Sequence, residues 1–138
     1  MASSSSSSPR VAWIGLGNMG RGMVANIVSK GTYAPPLLIY NRTAARAEKL
    51  AASLPEGKTT VVTSIAEAVK DADIIFTWLY IGDPILHRPG VGDDKAIQET
   101  LTAALEDPAL AKDKLFVDCS TIHPDTTNAL AAQVTAAG

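Results

Sequence analysis

The sequence has little cysteine, few aromatic residues and no excess of charge of either sign. A single cysteine, Cys119, excludes an internal disulfide framework and is typical of a reducing compartment. Twelve basic residues against 14 acidic ones give a net charge of −2, so the chain lacks the excess of basic residues that is typical of proteins that bind nucleic acid. No apolar run reaches the roughly 18 residues that a membrane-spanning helix needs. We therefore predict a cytoplasmic protein whose partners include neither nucleic acid nor a membrane.

The composition and length are those of one globular domain. Apolar residues make up 46% and charged residues 19% of 138 residues. Residues 1–9 contain six consecutive serines and nothing apolar enough to build a core, which predicts a disordered leader. A transit peptide would be similarly rich in serine but also rich in arginine, and Arg10 is the only basic residue before Arg21. Residues 10–138 are predicted to form the domain.

Strand and helix patterns alternate along residues 10–138. Short apolar runs predict strands, and apolar residues three and four apart predict helices. The predicted strands are residues 10–15, 37–40, 59–63, 73–79 and 115–119. The predicted helices are residues 19–30, 44–54, 64 to about 72, about 94 to 105, and 124–137, with a loop rich in glycine and proline at 82–94. Five alternations predict an α/β fold of the Rossmann type, a doubly wound parallel sheet of order 3-2-1-4-5 with helices on both faces.

A glycine motif stands between the first predicted strand and the first predicted helix. Gly15, Gly17 and Gly20 form G-x-G-x-x-G in the place where this motif binds dinucleotides. Gly15 permits the tight turn, Gly17 lets the backbone approach a pyrophosphate, and Gly20 lets the helix pack on the strand. The N–H groups at the helix start attract phosphate. A strand-to-helix turn without a ligand is the alternative, and dinucleotide binding is favoured.

The end of the second strand indicates which dinucleotide is bound. A site selective for NAD commonly carries Asp or Glu there, and this chain has Asn41, Arg42 and Thr43 instead. The Arg42 guanidinium offers several donors to a 2′-phosphate, Asn41 and Thr43 add hydrogen bonds, and Arg46 lies one helical turn further on. The alternative is that Arg42 is a solvated loop charge. We predict NADP in preference to NAD.

The fourth and fifth strands end on the side where the nicotinamide half is expected. Ser120 and Thr121 supply hydroxyls that donate to a carboxylate or a cofactor carbonyl, although both residue types also cap helices. Cys119 follows a buried run and has no histidine placed to activate it. His87 and His123 lack partners at metal spacing, so no metal site is predicted.

Residues 11–138 resemble the coenzyme domain of the β-hydroxyacid dehydrogenase family, which includes 3-hydroxyisobutyrate and 6-phosphogluconate dehydrogenases. Four segments carry the resemblance: residues 14–20, 41–43, 77–80 and 118–124. It implies hydride transfer between a nicotinamide cofactor and a small 3-hydroxy acid or its oxo or semialdehyde form. The residues that it implies at the pyrophosphate are Leu16, Gly17, Asn18 and Met19. It further implies that Leu79 and Tyr80 flank the cofactor and that Ser120 and Thr121 border the cofactor and the substrate carboxylate.

The resemblance also implies parts that lie outside these 138 residues. The family's catalytic lysine lies on a helix beyond a sixth strand, and an all-helical C-terminal domain, through which relatives assemble as oligomers, follows it. Lys112 and Lys114 both precede the fifth predicted strand and are no substitutes. We therefore expect no catalytic residue in this chain and no activity from it alone. Two alternatives remain open: the coenzyme domain of an imine reductase, and an NADP-binding interaction module without turnover.

Overall fold

The computed structural model describes residues 7–78, 101–107, 109, 112–119 and 124–137. Its strands are β1 (Val11–Ile14), β2 (Leu37–Tyr40), β3 (Thr59–Val61), β4 (Ile74–Thr77) and β5 (Leu115–Asp118). Its helices are α1 (Asn18–Lys30), α2 (Ala44–Ser53), α3 (Ile65–Asp71) and α4 (Pro124–Ala137), and residues 101–105 are also helical. The sequence predicts that the helix containing residues 101–105 begins near residue 94. That start, and residues 1–6 of the serine-rich leader, lie outside the described residues.

The five strands form one parallel sheet in the order β3-β2-β1-β4-β5. This confirms the predicted doubly wound α/β fold and its strand order. Ile14, the last residue of β1, lies opposite Tyr40 of β2 and Thr77 of β4, and Thr77 lies opposite Asp118 of β5. Four strands therefore end at one level, which forms a common carboxyl edge for a ligand. The predicted third strand was too long, because β3 ends at Val61.

Alternation along the strands separates two apolar layers, one on each face of the sheet. Val11 and Trp13 point to the face covered by α1 and α2, and Ala12 and Ile14 point to the face covered by α3. The first layer consists of Val11, Trp13, Leu16, Val24, Leu37, Ile39, Ala47 and Leu50. The second consists of Ala12, Ile14, Val62, Ala68, Val69, Ala72, Ile75 and Ala104. Because both faces of β1 are buried, the strand reads as an uninterrupted apolar run rather than an alternating one.

α4 begins at Pro124, as the sequence predicts, and packs beside β5. Leu130 of α4 and Leu101 form a smaller buried cluster, against which Phe116 of β5 and Val134 are packed. Within the described part of the chain, no helix has the length and apolar character needed to cross a membrane.

A capping box begins α3, also as predicted from Ser64 and Glu67. The Glu67 backbone N–H donates to Ser64 Oγ at 3.1 Å, which satisfies one of the helix's first N–H groups. The Glu67 carboxylate accepts from the backbone N–H of Thr63 at 3.0 Å, one residue earlier than the usual reciprocal bond. The cap thereby joins the end of the β3 segment to the start of α3.

Candidate functional site

Gly15 makes the turn by which the chain leaves β1. Its φ of 96° lies in the left-handed region that side chains disfavour, which confirms the reason predicted for a glycine here. Its N–H donates to the carbonyl of Tyr40 at 2.9 Å, so the turn begins while the chain is still paired with β2. The carbonyl of Gly15 leaves the sheet and accepts from Trp13 Nε1 at 2.7 Å in a buried hydrogen bond.

Asn41, directly after β2, fixes the next residue of the glycine loop. The Leu16 backbone N–H donates to Asn41 Oδ1 at 2.9 Å, and Asn41 Nδ2 donates to the carbonyl of Thr43 at 2.9 Å. We predicted from the sequence that Asn41 would bind the cofactor. The structure places its carboxamide between the glycine loop and the segment before α2, where it holds the two together.

α1 begins after a glycine, so its N-cap residue has no side chain to bond the first backbone N–H groups of the helix. Gly17 is the N-cap residue, makes no side-chain cap bond and is followed by no acidic residue in the first turn. The first helical bond is donated by Arg21 N–H to Gly17 O at 3.1 Å, so the N–H groups of residues 18–20 precede the hydrogen-bonded part of the helix. These groups and the helix dipole suit a phosphate. Asn18 contributes its backbone here, and its side chain lies outside the described residues.

Gly20 brings α1 against the turn at Gly15. A Cβ at this position would lie 3.0 Å from the carbonyl oxygen of Gly15 and 3.4 Å from Trp13 Nε1. The predicted close packing of helix on strand is therefore confirmed. Gly17 has φ −82° and ψ −176°, which any residue adopts, so its backbone conformation alone does not require a glycine. Met19 is 64% exposed on the outer side of the same turn.

A cation-lined cavity of about 540 Å³ opens between the glycine loop and α2. Its lining comprises Leu16, Gly17, Arg21, Arg46, Lys49, Leu50 and Ser53. The loop lies on one side, and α2, one turn of which carries Arg46 and Lys49, lies on the other. Arg42 and Thr43 are exposed in the segment before α2 and are not part of the lining. The structure therefore brings together the glycine loop and Arg46, and adds Lys49 and Arg21.

Sequence reasoning missed Lys49, Arg21 and Ser53. The spacing of three residues between Arg46 and Lys49 is a signal in the sequence, because residues three apart lie on one side of a helix. Arg21 carried no such signal. It reaches the cavity because right-handed crossovers put α1 and α2 side by side on the same face of the sheet.

The carboxyl ends of β4 and β5 are joined by side-chain and backbone bonds. Thr77 Oγ1 donates to Asp118 Oδ1 at 3.0 Å, and the Cys119 N–H donates to the carbonyl of Thr77 at 2.8 Å. Burial, and then the Asp118 carboxylate, raise the pKa of the Cys119 thiol, which disfavours its thiolate form. The predicted site residues Leu79, Tyr80, Ser120 and Thr121 all lie outside the described residues. Within the described part of the chain, no cluster of three metal-binding side chains occurs.

Comparison with known proteins identifies the class to which this chain belongs. The model of one family, the NAD binding domain of 6-phosphogluconate dehydrogenase, matches residues 10–138. The chain therefore belongs to this family of nicotinamide-dinucleotide-binding domains, which are parts of oxidoreductases. Its glycine turn, the glycine N-cap of α1 and the parallel sheet edge fit such a cofactor, since backbone donors lie where a pyrophosphate would bind.

Individual relatives are longer than this chain. The chain is 36% identical over 120 residues to an NADH-dependent oxidoreductase, ucdB, of Aspergillus ustus, spanning 87% of this chain and 36% of that protein. It is 33% identical over 128 residues to 3-sulfolactaldehyde reductase of Escherichia coli, and the match spans 93% of this chain and 37% of that protein. The structure of Streptomyces aurantiacus imine reductase matches with a TM-score of 0.69 at 25% identity, over 94% of this chain and 38% of that one. The chain thus spans less than two fifths of the length of each of these relatives.

Proposed function

We propose that this chain is the NADP(H)-binding domain of an oxidoreductase. The observation that carries the proposal is the cavity lined by Arg21, Arg46 and Lys49, which opens directly from the glycine loop. Three cations from two helices converge there on a space that begins at the backbone of Leu16 and Gly17. A dianionic 2′-phosphate on the adenosine ribose would gain charge-assisted hydrogen bonds from such groups, whereas the 2′-hydroxyl of NAD would gain little.

The segment after β2 supports the same choice. No acidic side chain stands between Tyr40 and α2 to accept bonds from the ribose hydroxyls of NAD. Arg42 and Thr43 are exposed beside the loop that Asn41 holds, which leaves their donors available to the adenosine end. The residues proposed to hold the cofactor are Gly15, Leu16, Gly17, Asn18, Met19, Gly20, Asn41, Arg42, Thr43, Leu79, Tyr80 and Thr121.

We propose a small hydroxy acid, or its oxo or semialdehyde form, as the substrate of the whole protein. The resemblance over residues 11–138 and the similarity to 3-sulfolactaldehyde reductase support this substrate class. When bound, the cofactor would supply or accept the hydride, while Ser120 and Thr121 would donate hydrogen bonds to the substrate carboxylate. An imine reductase is the second candidate, favoured by the match to the Streptomyces aurantiacus enzyme over 94% of the chain.

Paired titrations test the cofactor proposal. NADPH and NADH are titrated into the chain by calorimetry, with NADPH expected to bind more tightly. The variant Arg42→Ala should weaken NADPH by about 1.5–3 kcal/mol, as for hydrogen bonds to a charged group, with solvent screening favouring the lower end, and should spare NADH. Lys49→Glu should weaken NADPH in the same selective way, more strongly at low salt.

Lys58→Glu is the matched control for the charge reversal. Lys58 is exposed immediately before β3, at the amino edge of the sheet and away from the cavity. It should leave both affinities within about twofold, since screening removes most of the interaction between distant surface charges. Equal weak binding of NADPH and NADH to the unaltered chain would refute the choice of NADP.

A further inference from the structure

Trp13 connects the apolar core to the glycine loop. Its side chain is fully buried in the middle strand of the sheet and stacks on Phe76 of β4, with ring centroids 5.4 Å apart and planes inclined by 17°. The indole N–H extends along the strand and donates to the carbonyl of Gly15 at 2.7 Å. One side chain therefore belongs both to the core and to the turn that begins the loop.

The Gly15 carbonyl needs this donor because it has left the sheet. The φ of 96° at Gly15 turns the chain away from β2, after its N–H has made the last bond, to Tyr40. The indole supplies a partner for the carbonyl in a place where solvent is excluded. With the Leu16 N–H held by Asn41, successive backbone groups of the loop are each fixed by a different part of the fold.

The same carbonyl forms the surface on which α1 begins. A Cβ at Gly20 would meet the Gly15 oxygen at 3.0 Å and Trp13 Nε1 at 3.4 Å, so the hydrogen-bonded pair fills the space below the first turn of the helix. Movement of the Gly15 carbonyl would therefore displace the N–H groups of residues 18–20, which would face the phosphates of the proposed cofactor.

We propose that Trp13 is a positioning residue for cofactor binding: its indole N–H orients the Gly15 peptide and thereby aligns the N–H donors of the loop and of the first turn of α1. The proposal rests on dinucleotide binding at this loop. It assigns to a core residue a role in affinity that packing alone does not supply. Preorganised donors bind more tightly because the bound geometry costs no further ordering.

The test compares two substitutions in the same ring pair. Trp13→Phe keeps an aromatic ring on Phe76 but removes the N–H, and Phe76→Leu disturbs the stack but keeps the N–H. Calorimetric titration with NADPH should show affinity about tenfold lower in Trp13→Phe and within twofold of the unaltered chain in Phe76→Leu. Urea unfolding measures the stability of each variant, and NADPH affinities are compared under conditions in which both variants are fully folded, so that packing damage does not explain the difference.

Spectroscopy provides a readout that does not require Trp13→Phe or Phe76→Leu to fold. In the unaltered chain, the Trp13 indole proton, assigned by comparison with Trp78→Phe, should exchange slowly with solvent and shift when NADPH saturates the site. An unshifted, rapidly exchanging indole proton would overturn the proposal, as would Trp13→Phe binding as tightly as the unaltered chain or Phe76→Leu losing as much affinity. If the unaltered chain binds neither dinucleotide, dinucleotide binding itself fails, which is a distinct result.

Discussion

Asn41 holds the glycine loop to the end of β2 through both ends of its carboxamide. The oxygen accepts from Leu16, a buried residue, and the nitrogen donates to the carbonyl of Thr43. A leucine of nearly the same size would make neither bond. At the residue scale the site therefore depends on side chains that fix backbone groups as well as on those that would face the ligand.

Asn41→Leu is expected to weaken NADPH and NADH by similar factors. The substitution leaves the Leu16 N–H without its acceptor, at a cost of about 1–3 kcal/mol shared between folding and binding. Because the loss concerns the position of the loop, it does not distinguish the two cofactors, unlike Arg42→Ala. Calorimetric titration of the variant with each dinucleotide checks this. A loss confined to NADPH would instead mean that Asn41 acts directly on the 2′-phosphate.

Two sets of bonds at the amino edge of the sheet, opposite the candidate site, join the start of β1 to the start of β4 and the start of β5 to the end of α3. The Arg10 backbone N–H donates to Asp73 Oδ2 at 2.8 Å, and its guanidinium pairs with Asp73 Oδ1 at 3.2 Å. Lys114, before β5, donates to the carbonyls of Lys70 and Ala72 at the end of α3. These bonds hold element ends whose own backbone groups lack partners within the helix or ladder.

The Asp73 cluster predicts a pH dependence of stability. Hydrogen bonds from the Arg10 side chain and backbone hold the pKa of Asp73 below its usual value. The stabilisation is therefore present above the unfolded-state pKa of about 3.9 and is lost as pH falls through the lower folded-state pKa. Asp73→Asn should lower the urea midpoint near neutral pH, and the difference from the unaltered chain should shrink in acid.

Asp71→Asn is the control, because it removes the same charge from an exposed position two residues earlier. It should change the urea midpoint less than Asp73→Asn does. A difference between Asp73→Asn and the unaltered chain that stays constant from neutral pH into acid would contradict the assignment.

The molecule as a whole separates the edge that anchors the fold from the edge that carries the site. Parallel strands place all their carboxyl ends together, so residues far apart in sequence, from Gly15 to Asp118, meet at one edge. The Lys114 ammonium lies at the other edge, bonded to α3. It therefore lies at the edge of the sheet opposite the candidate site.

We expect the 138-residue chain to bind NADPH without turning over small hydroxy acids or their oxo forms. Proton transfer by a positioned acid or base contributes about 10²–10⁴-fold, and the resemblance implies that the family's lysine lies beyond these residues. The absorbance of NADPH in the presence of candidate oxo substrates measures turnover, and calorimetry on the same sample verifies binding. Consumption of NADPH above the rate in buffer would contradict the expectation.

The spacing of apolar residues and the positions of glycine and proline in the sequence predicted most of the fold. The strand order followed from five strand–helix alternations, and α4 was predicted with its observed bounds. The glycine turn was equally predictable from the sequence, because only a glycine accepts the left-handed conformation at Gly15 without strain. The residues at which β3 and β4 end were harder to predict from the sequence. Apolar residues continue past the observed ends of both strands, with Val62 after β3 and Trp78 after β4, so composition alone does not mark where each strand ends.

The sequence by itself determined the elements and the motif, since these depend on local conformational preference and on the spacing of apolar residues. Only the tertiary structure decided which side chains surround the motif. Trp13 reaches the Gly15 carbonyl, Asn41 reaches Leu16, and Arg21 and Lys49 line the same cavity. The last two pairs belong to segments that are distant in the chain and adjacent only because parallel crossovers stack them on one face of the sheet. Local pattern carries no information about that adjacency.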